Sequence, residues 1–216
     1  MKYYPIFLNI KDRPCLVVGG GRVGARKTAT LVSAGAWVTV VSPEFCDQLS
    51  AMPGIQREHR LFDPKDLEGV FLVFAATSDT AVNQWILAEA QKARVLCNSA
   101  DAPDQGDFVL PAVMSRGDLI CAVSTSGASP ALARKIRMDL DHAYGPEYAA
   151  FLELMRAVRE KILASGHDPD HHQQIFRTMT EKNLPGLLAA NDIAAVDAIL
   201  YELLGSGFEV KDLIPQ

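Results

Sequence analysis

Gly19, Gly21 and Gly24 lie directly after the apolar run Cys15-Leu16-Val17-Val18 and directly before a helical segment. Glycine permits a tight turn and close backbone approach, and the unpaired N–H groups at a helix start attract a pyrophosphate. With Arg22 and Val23 between the second and third glycines, this G-x-G-x-x-G in strand-to-helix context reads as a dinucleotide-binding turn. A structural glycine turn is the alternative.

The carboxylate that usually holds the adenosine ribose is expected about 20 residues further on, where the second strand ends. That strand ends Val41-Ser42-Pro43-Glu44, so Glu44 arrives two residues late. Glu44, or backbone groups around Ser42 and Pro43, could hold the ribose; a solvated Glu44 is the competing account. Arg22 beside the turn leaves a 2′-phosphate open. Thr77-Ser78-Asp79 ends the fourth strand at the same edge. Thr77 and Ser78 are candidates to border the nicotinamide ribose, and the same residues could cap the next helix.

Asn98-Ser99-Ala100-Asp101-Ala102-Pro103 follows the fifth strand. A carboxylate there faces the cofactor crevice, where partial burial would raise its pKa towards that of a general base. An Asx turn is the bland account. The run Ser124 to Lys135, with Thr125, Ser126, Arg134 and Lys135, places hydroxyls before a helix and cations within it. That suits an anionic ligand, or else ordinary capping with a solvated basic face. His167-Asp168-Pro169-Asp170-His171-His172 reads as a solvated interhelical loop, and no bound metal is expected because no Cys/His cluster has zinc spacing.

These groups need a frame. Short apolar runs at Cys15–Val18, Trp37–Val41 and Val70–Ala76, with weaker ones at Ile55–His59 and Arg94–Cys97, alternate with helical stretches to about Ala34 and over 80–92. Strand, crossover helix, strand predicts an α/β fold, a Rossmann-like doubly wound parallel sheet. Phe108–Met114 and Leu119–Ser124 then read as a hairpin across Ser115–Asp118. Ser129-Pro130 starts a helical remainder. Tyr148, Phe151, Leu152, Met155, Val158 and Ile162 mark one helix face. Ile193, Val196, Leu200, Leu203 and Leu204 mark another. The expected organisation is a dinucleotide domain over 1–113, a connecting segment over 114–146 and a C-terminal helical domain over 147–216.

At roughly 150 residues per domain, 216 residues correspond to about 1.4 domains. Hydrophobic residues make up 49%, enough for a packed core. Lys and Arg number 21 against 26 Asp and Glu, a net charge of −5 that argues against a nucleic-acid or anionic-membrane binder. The N-terminus has no apolar leader core, no run is long enough to span a membrane, and a cytoplasmic protein is expected. Cys15, Cys46, Cys97 and Cys121 are scattered without CxxC spacing and read as free thiols, mostly buried.

Pro5-Ile6-Phe7, Val18 through Lys27, Ala75 through Asp79, Asn98 through Pro103, Phe108 through Ala112 and Ser124 through Arg134 occur in that order. Together they make the chain resemble the precorrin-2 dehydrogenase family, which includes the N-terminal module of siroheme synthase. The match covers about residues 2–140. The resemblance implies NAD-dependent oxidation of precorrin-2, a tetrapyrrole, to sirohydrochlorin, with ferrochelatase activity towards Fe²⁺ or Co²⁺ in some relatives. It implies a homodimer interlocked through the segment after the dinucleotide domain, which makes 114–146 a dimerisation segment. It also makes Asp101 the counterpart of the family's essential aspartate. Arg116, Arg134, Lys135 and Arg137 become candidates for the substrate's carboxylates, with Thr125 and Ser126 beside them. Thr125 stands where many relatives carry a second serine. The runner-up is a non-catalytic dinucleotide sensor, for which Asp101 and the Ser124–Arg134 run have no use.

Overall fold

Branched apolar residues, buried on both faces, build the centre of the first half of the chain. The computed structural model describes residues 2–164 and 169–214. Pro14–Val18 (β1), Trp37–Val41 (β2), Ile55–Glu58 (β3), Leu72–Ala75 (β4) and Leu96–Ser99 (β5) form one parallel sheet in the order β3-β2-β1-β4-β5. Arg22–Ser33 (α1), Asp47–Ala51 (α2) and Thr80–Ala93 (α3) connect them. Alternate residues of each strand serve opposite faces. Cys15, Val17, Val40 and Phe74 pack with Ala25 and Leu31 of α1 and Leu49 of α2. Leu16, Val18, Val73 and Ala75 pack with Ile86, Leu87 and Ala90 of α3. Fully burying one such side chain contributes about 1.5–3 kcal/mol. The strand order reverses between β1 and β4, which opens a crevice at their carboxyl ends.

The chain divides into two compact units, Met1–Leu110 and Pro111–Gln216. In the second, Ala112–Arg116 (β6) and Leu119–Val123 (β7) pair as an antiparallel hairpin. Pro130–Ala143 (α4), Glu147–Ala164 (α5), Pro169–Glu181 (α6), Leu184–Ala189 (α7), Ile193–Leu204 (α8) and Val210–Leu213 (α9) follow. Phe151, Leu154, Val158, Met179, Leu184, Val196 and Leu200 form the core of these helices.

Several expected boundaries move. The fifth strand begins at Leu96, not Arg94, because Arg94 takes a left-handed conformation (φ 58°) as the C-cap of α3. Asn98 and Ser99 therefore belong to the strand. The first hairpin strand begins at Ala112 and not at Phe108: Pro111 has no N–H for a ladder, and the Phe108 ring packs edge-on against Phe74 at 5.5 Å. The hairpin turn is only Gly117-Asp118, with Gly117 at φ 57°, as two-residue hairpins require. On α5 the fully buried Leu154 joins the expected face, while Leu152 is only half-buried. The backbone is helical from Pro169, so His171 and His172 are not in a loop; His167 and Asp168 of that cluster lie outside the described residues. Proline suits the first helical position because its missing N–H would have no partner there.

Candidate active site

Three close backbone contacts and one open position shape the turn after β1. Gly19 has φ +126°, and a Cβ there would meet the carbonyl of Ala76 at the end of β4. A Cβ on Gly20 would strike the carbonyl of Glu44, and one on Gly24 the carbonyl of Gly19. At Gly21 a Cβ would meet nothing within 4 Å. Three glycines thus let backbone pack against backbone, and the fourth leaves open space at the start of α1. Gly21 is the N-cap of α1 and supplies no side-chain cap, and no acidic residue lies in the first turn. The N–H groups of Arg22, Val23 and Gly24 are at that helix start, where an anionic pyrophosphate fits them.

The loop after β2 closes on the same turn. Cys46 N–H donates to the Gly20 carbonyl at 2.8 Å and Ser42 N–H to the Glu58 carbonyl at 3.1 Å. Ser42 Oγ lies 2.8 Å from where a Gly20 Cβ would be. Glu44 therefore meets the turn through its carbonyl, and Pro43 and Glu44 are otherwise exposed. Gly20 occupies a free position of the glycine pattern, so the pattern alone did not single it out. Its requirement comes from a loop 24 residues away.

Thr77 is tied to α3. Its N–H and Oγ1 donate to Oδ1 of Asn83 at 3.1 and 2.8 Å, and Asn83 Nδ2 returns a bond to the Thr77 carbonyl at 3.2 Å. Asp79 is the N-cap of α3, accepting from Ala81 and Val82, and Ser78 is exposed. Buried Asn83, one turn into α3, is a residue that the sequence did not single out.

Asp101 follows β5 by two residues. Ser99 Oγ donates to its Oδ1 at 2.6 Å. The expectation of partial burial with a raised pKa is overturned: Asp101 is exposed, and its pKa is lowered. The Ser99 hydroxyl is the main cause; burial opposes it, and Asn83 and Thr80 add smaller lowering effects. A hydrogen bond to the charged form favours that form. Ser99, itself 2% exposed, is another residue that the sequence reading left out. Lys27 on α1 donates to Oδ1 of buried Asn98 at 3.1 Å, next to Ser99.

The remaining candidates lie in the second unit. Arg116 donates to the Tyr144 carbonyl at 3.1 Å and pairs with Asp141 at 3.0 Å. Arg137 also pairs with Asp141, and Lys135 with Asp139 at 2.7 Å. Of the four expected rim cations, Arg134 alone is exposed and outside any ion pair of the described residues. Thr125 Oγ1 accepts from the Ser129 N–H at 3.1 Å, and Ser129 caps α4 by accepting from Leu132. Ser126 between them holds φ 52°. No three His, Cys, Asp or Glu side chains cluster as metal ligands among the described residues. All four cysteines are free; burial pushes Cys15 up to about 11 and Cys97 up to about 12.

The sheet order, the glycine turn and the bare start of α1 define a dinucleotide-binding protein of the Rossmann type. Residues 6–112 match the family described as putative NAD(P)-binding, and residues 116–142 the family described as sirohaem biosynthesis protein central. The siroheme synthase of Nitrosomonas eutropha is 38% identical over 95% of this chain and 44% of its own length. That of Methylobacillus flagellatus is 36% identical over 96% of this chain and 45% of its own. The chain therefore spans less than half the length of these curated relatives. A solved structure of SirC, precorrin-2 dehydrogenase, matches with a TM-score of 0.75 and 26% identity, covering 93% of this chain and 98% of that one. The chain belongs to the precorrin-2 dehydrogenase family of siroheme-biosynthesis proteins. No described helix is long and apolar enough to cross a membrane.

Proposed function

We propose that the chain is an NAD-dependent dehydrogenase that oxidises precorrin-2 to sirohydrochlorin. The observation that carries this reading is the Ser99–Asp101 pair at the carboxyl end of β5, on the edge of the sheet where a dinucleotide is held. Gly19 to Gly24 form the cradle for the pyrophosphate, and the Ser42–Glu44 loop is the candidate for the adenosine ribose. When bound, NAD⁺ supplies the hydride acceptor. Asp101 accepts the proton that must leave the macrocycle as conjugation extends, and the Ser99 hydroxyl fixes which carboxylate oxygen remains free to do so. Asp101 is ionised at neutral pH, as an ordinary aspartate is, and accepts without prior deprotonation; the lowered pKa extends that state to lower pH. A non-catalytic dinucleotide sensor would need neither residue there.

Arg134, exposed and unpaired, is the first choice to meet the carboxylates of the substrate. Ser126, held at positive φ in the loop before α4, is the second, since such strain persists where surrounding structure demands it. Residues 114–146 pair two copies of the chain. Val113 and Ile120 on the hairpin and Leu132 and Ile136 on α4 are exposed apolar side chains within one unit, which a second copy would cover.

Anaerobic incubation with precorrin-2 tests the activity. The absorbance of sirohydrochlorin should grow with NAD⁺ present and not without it, and no growth in either case would refute the reading.

A further inference from the structure

Lys27 lies on the inner side of α1, three residues past Gly24, and is half-buried. Its ammonium donates to Asn98 Oδ1 and stands 5.3 Å from the centre of the Phe74 ring. Burial, and secondarily the neighbouring Arg26, lower its pKa. Withdrawing an ammonium from water is unfavourable, and an apolar side chain would serve packing alone at less cost. Asn98 is 3% exposed and satisfied at both ends of its amide, because Nδ2 donates to the Phe108 carbonyl at 2.8 Å. The Phe108 ring meets Phe74 edge-on, so α1, β4, β5 and the segment after Asp107 are joined in one closed set of contacts.

That closure matters because β5 is an edge strand, paired with β4 on one side only. The last ladder bond near the site is Ala100 N–H to the Ala75 carbonyl at 2.9 Å, and Ser99 and Asp101 flank it. Lys27 reaches β5 at Asn98, the residue directly before Ser99. We propose that Lys27 is a positioning residue: through Asn98 it holds the end of β5, and with it the Ser99–Asp101 pair, in register with the helix whose start receives the dinucleotide. The proposal rests on the reading of Asp101 as proton acceptor.

The test is Lys27→Met, which keeps the length of the side chain and removes the donor, with Lys27→Arg as the conservative variant. Amide hydrogen exchange at Ala100 should accelerate about tenfold or more in Lys27→Met and return towards wild type in Lys27→Arg. In turnover, kcat should fall about ten- to a hundredfold, because small misplacements of a reacting group have effects of that size. The Kd for NAD⁺ should move less than about threefold, since the glycine turn is untouched. Asn98→Leu should reproduce the loss, and the double variant should be no worse than Asn98→Leu alone. Should Lys27→Met fail to fold, Lys27→Leu, which also lacks a donor, carries the same expectations. Wild-type exchange at Ala100 together with unchanged kcat would overturn the proposal, as would additive losses in the double variant. The exchange measurement needs no substrate, so it judges the Lys27–Asn98 link even if the wild-type protein does not oxidise precorrin-2.

Discussion

The hydroxyl of Ser99 donates a 2.6 Å hydrogen bond to Oδ1 of Asp101, an exposed carboxylate two residues past the end of β5. The bond stabilises the ionised form and lowers the pKa of Asp101. A base with a depressed pKa stays active to lower pH. The acid limb of kcat/KM should therefore lie below the range of an ordinary aspartate, and Ser99→Ala should move it upward. A limb that does not move would separate Asp101 from the proton transfer.

Gly20 and Gly21 should fail in different ways when changed to alanine. At Gly20 the new methyl meets the Glu44 carbonyl, so the loop must shift and the fold as well as dinucleotide binding should suffer. At Gly21 the methyl enters open space, so the melting temperature should hold while the Kd for NAD⁺ rises about tenfold or more, about 1.4 kcal/mol. Calorimetric titration and thermal unfolding of the two variants separate these outcomes. Equal Kd values for Gly21→Ala and wild type would contradict the placement of the pyrophosphate.

Arg116 and Arg134 should also part company. Arg116 is engaged by Asp141 and the Tyr144 carbonyl, so Arg116→Ala should destabilise the protein by about 1–3 kcal/mol through groups left unpaired. Arg134 makes no such contacts, and Arg134→Ala should leave stability within about 0.5 kcal/mol while raising KM for the tetrapyrrole. Denaturant unfolding and steady-state kinetics on both variants make the comparison; a normal KM in Arg134→Ala would remove it from the substrate site.

The hairpin face predicts self-association. Ile120 is 47% exposed and Val113 50%, on neighbouring strands. Sedimentation equilibrium should return twice the chain mass of 23.5 kDa for the wild type and the single mass for Ile120→Asp. A wild-type monomer at micromolar concentration would leave that face without the proposed occupant.

Much of this was legible in the chain itself. β1, β2 and β4 announce themselves as short apolar runs because a parallel strand buried on both faces has no polar side to show. The glycine turn is visible as G-x-G-x-x-G, and two glycines of that pattern, Gly19 and Gly24, sit where backbone approaches too closely for a side chain. Positive φ at Arg94 was not visible, since arginine is a poor marker of a left-handed cap, and β5 was consequently placed two residues early. That shift hid Asn98 and Ser99 as strand residues. Partnerships between distant positions were equally out of reach: Lys27 with Asn98, 71 residues apart, and Gly20 with Glu44. The sequence does show a Ser and an Asp two positions apart at 99 and 101. It does not show that the Ser99 hydroxyl bonds to an exposed carboxylate, which reverses the expected direction of its pKa.

The most direct test of the account is an anaerobic single turnover of precorrin-2 with NAD⁺, following NADH and sirohydrochlorin together in the wild type and in Asp101→Asn. The account predicts equal amounts of the two products in the wild type. In Asp101→Asn it predicts a rate lower by about a hundredfold or more at unchanged NAD⁺ affinity, as expected when a general base is removed. Wild-type rates in Asp101→Asn, or sirohydrochlorin formed without NADH, would contradict it.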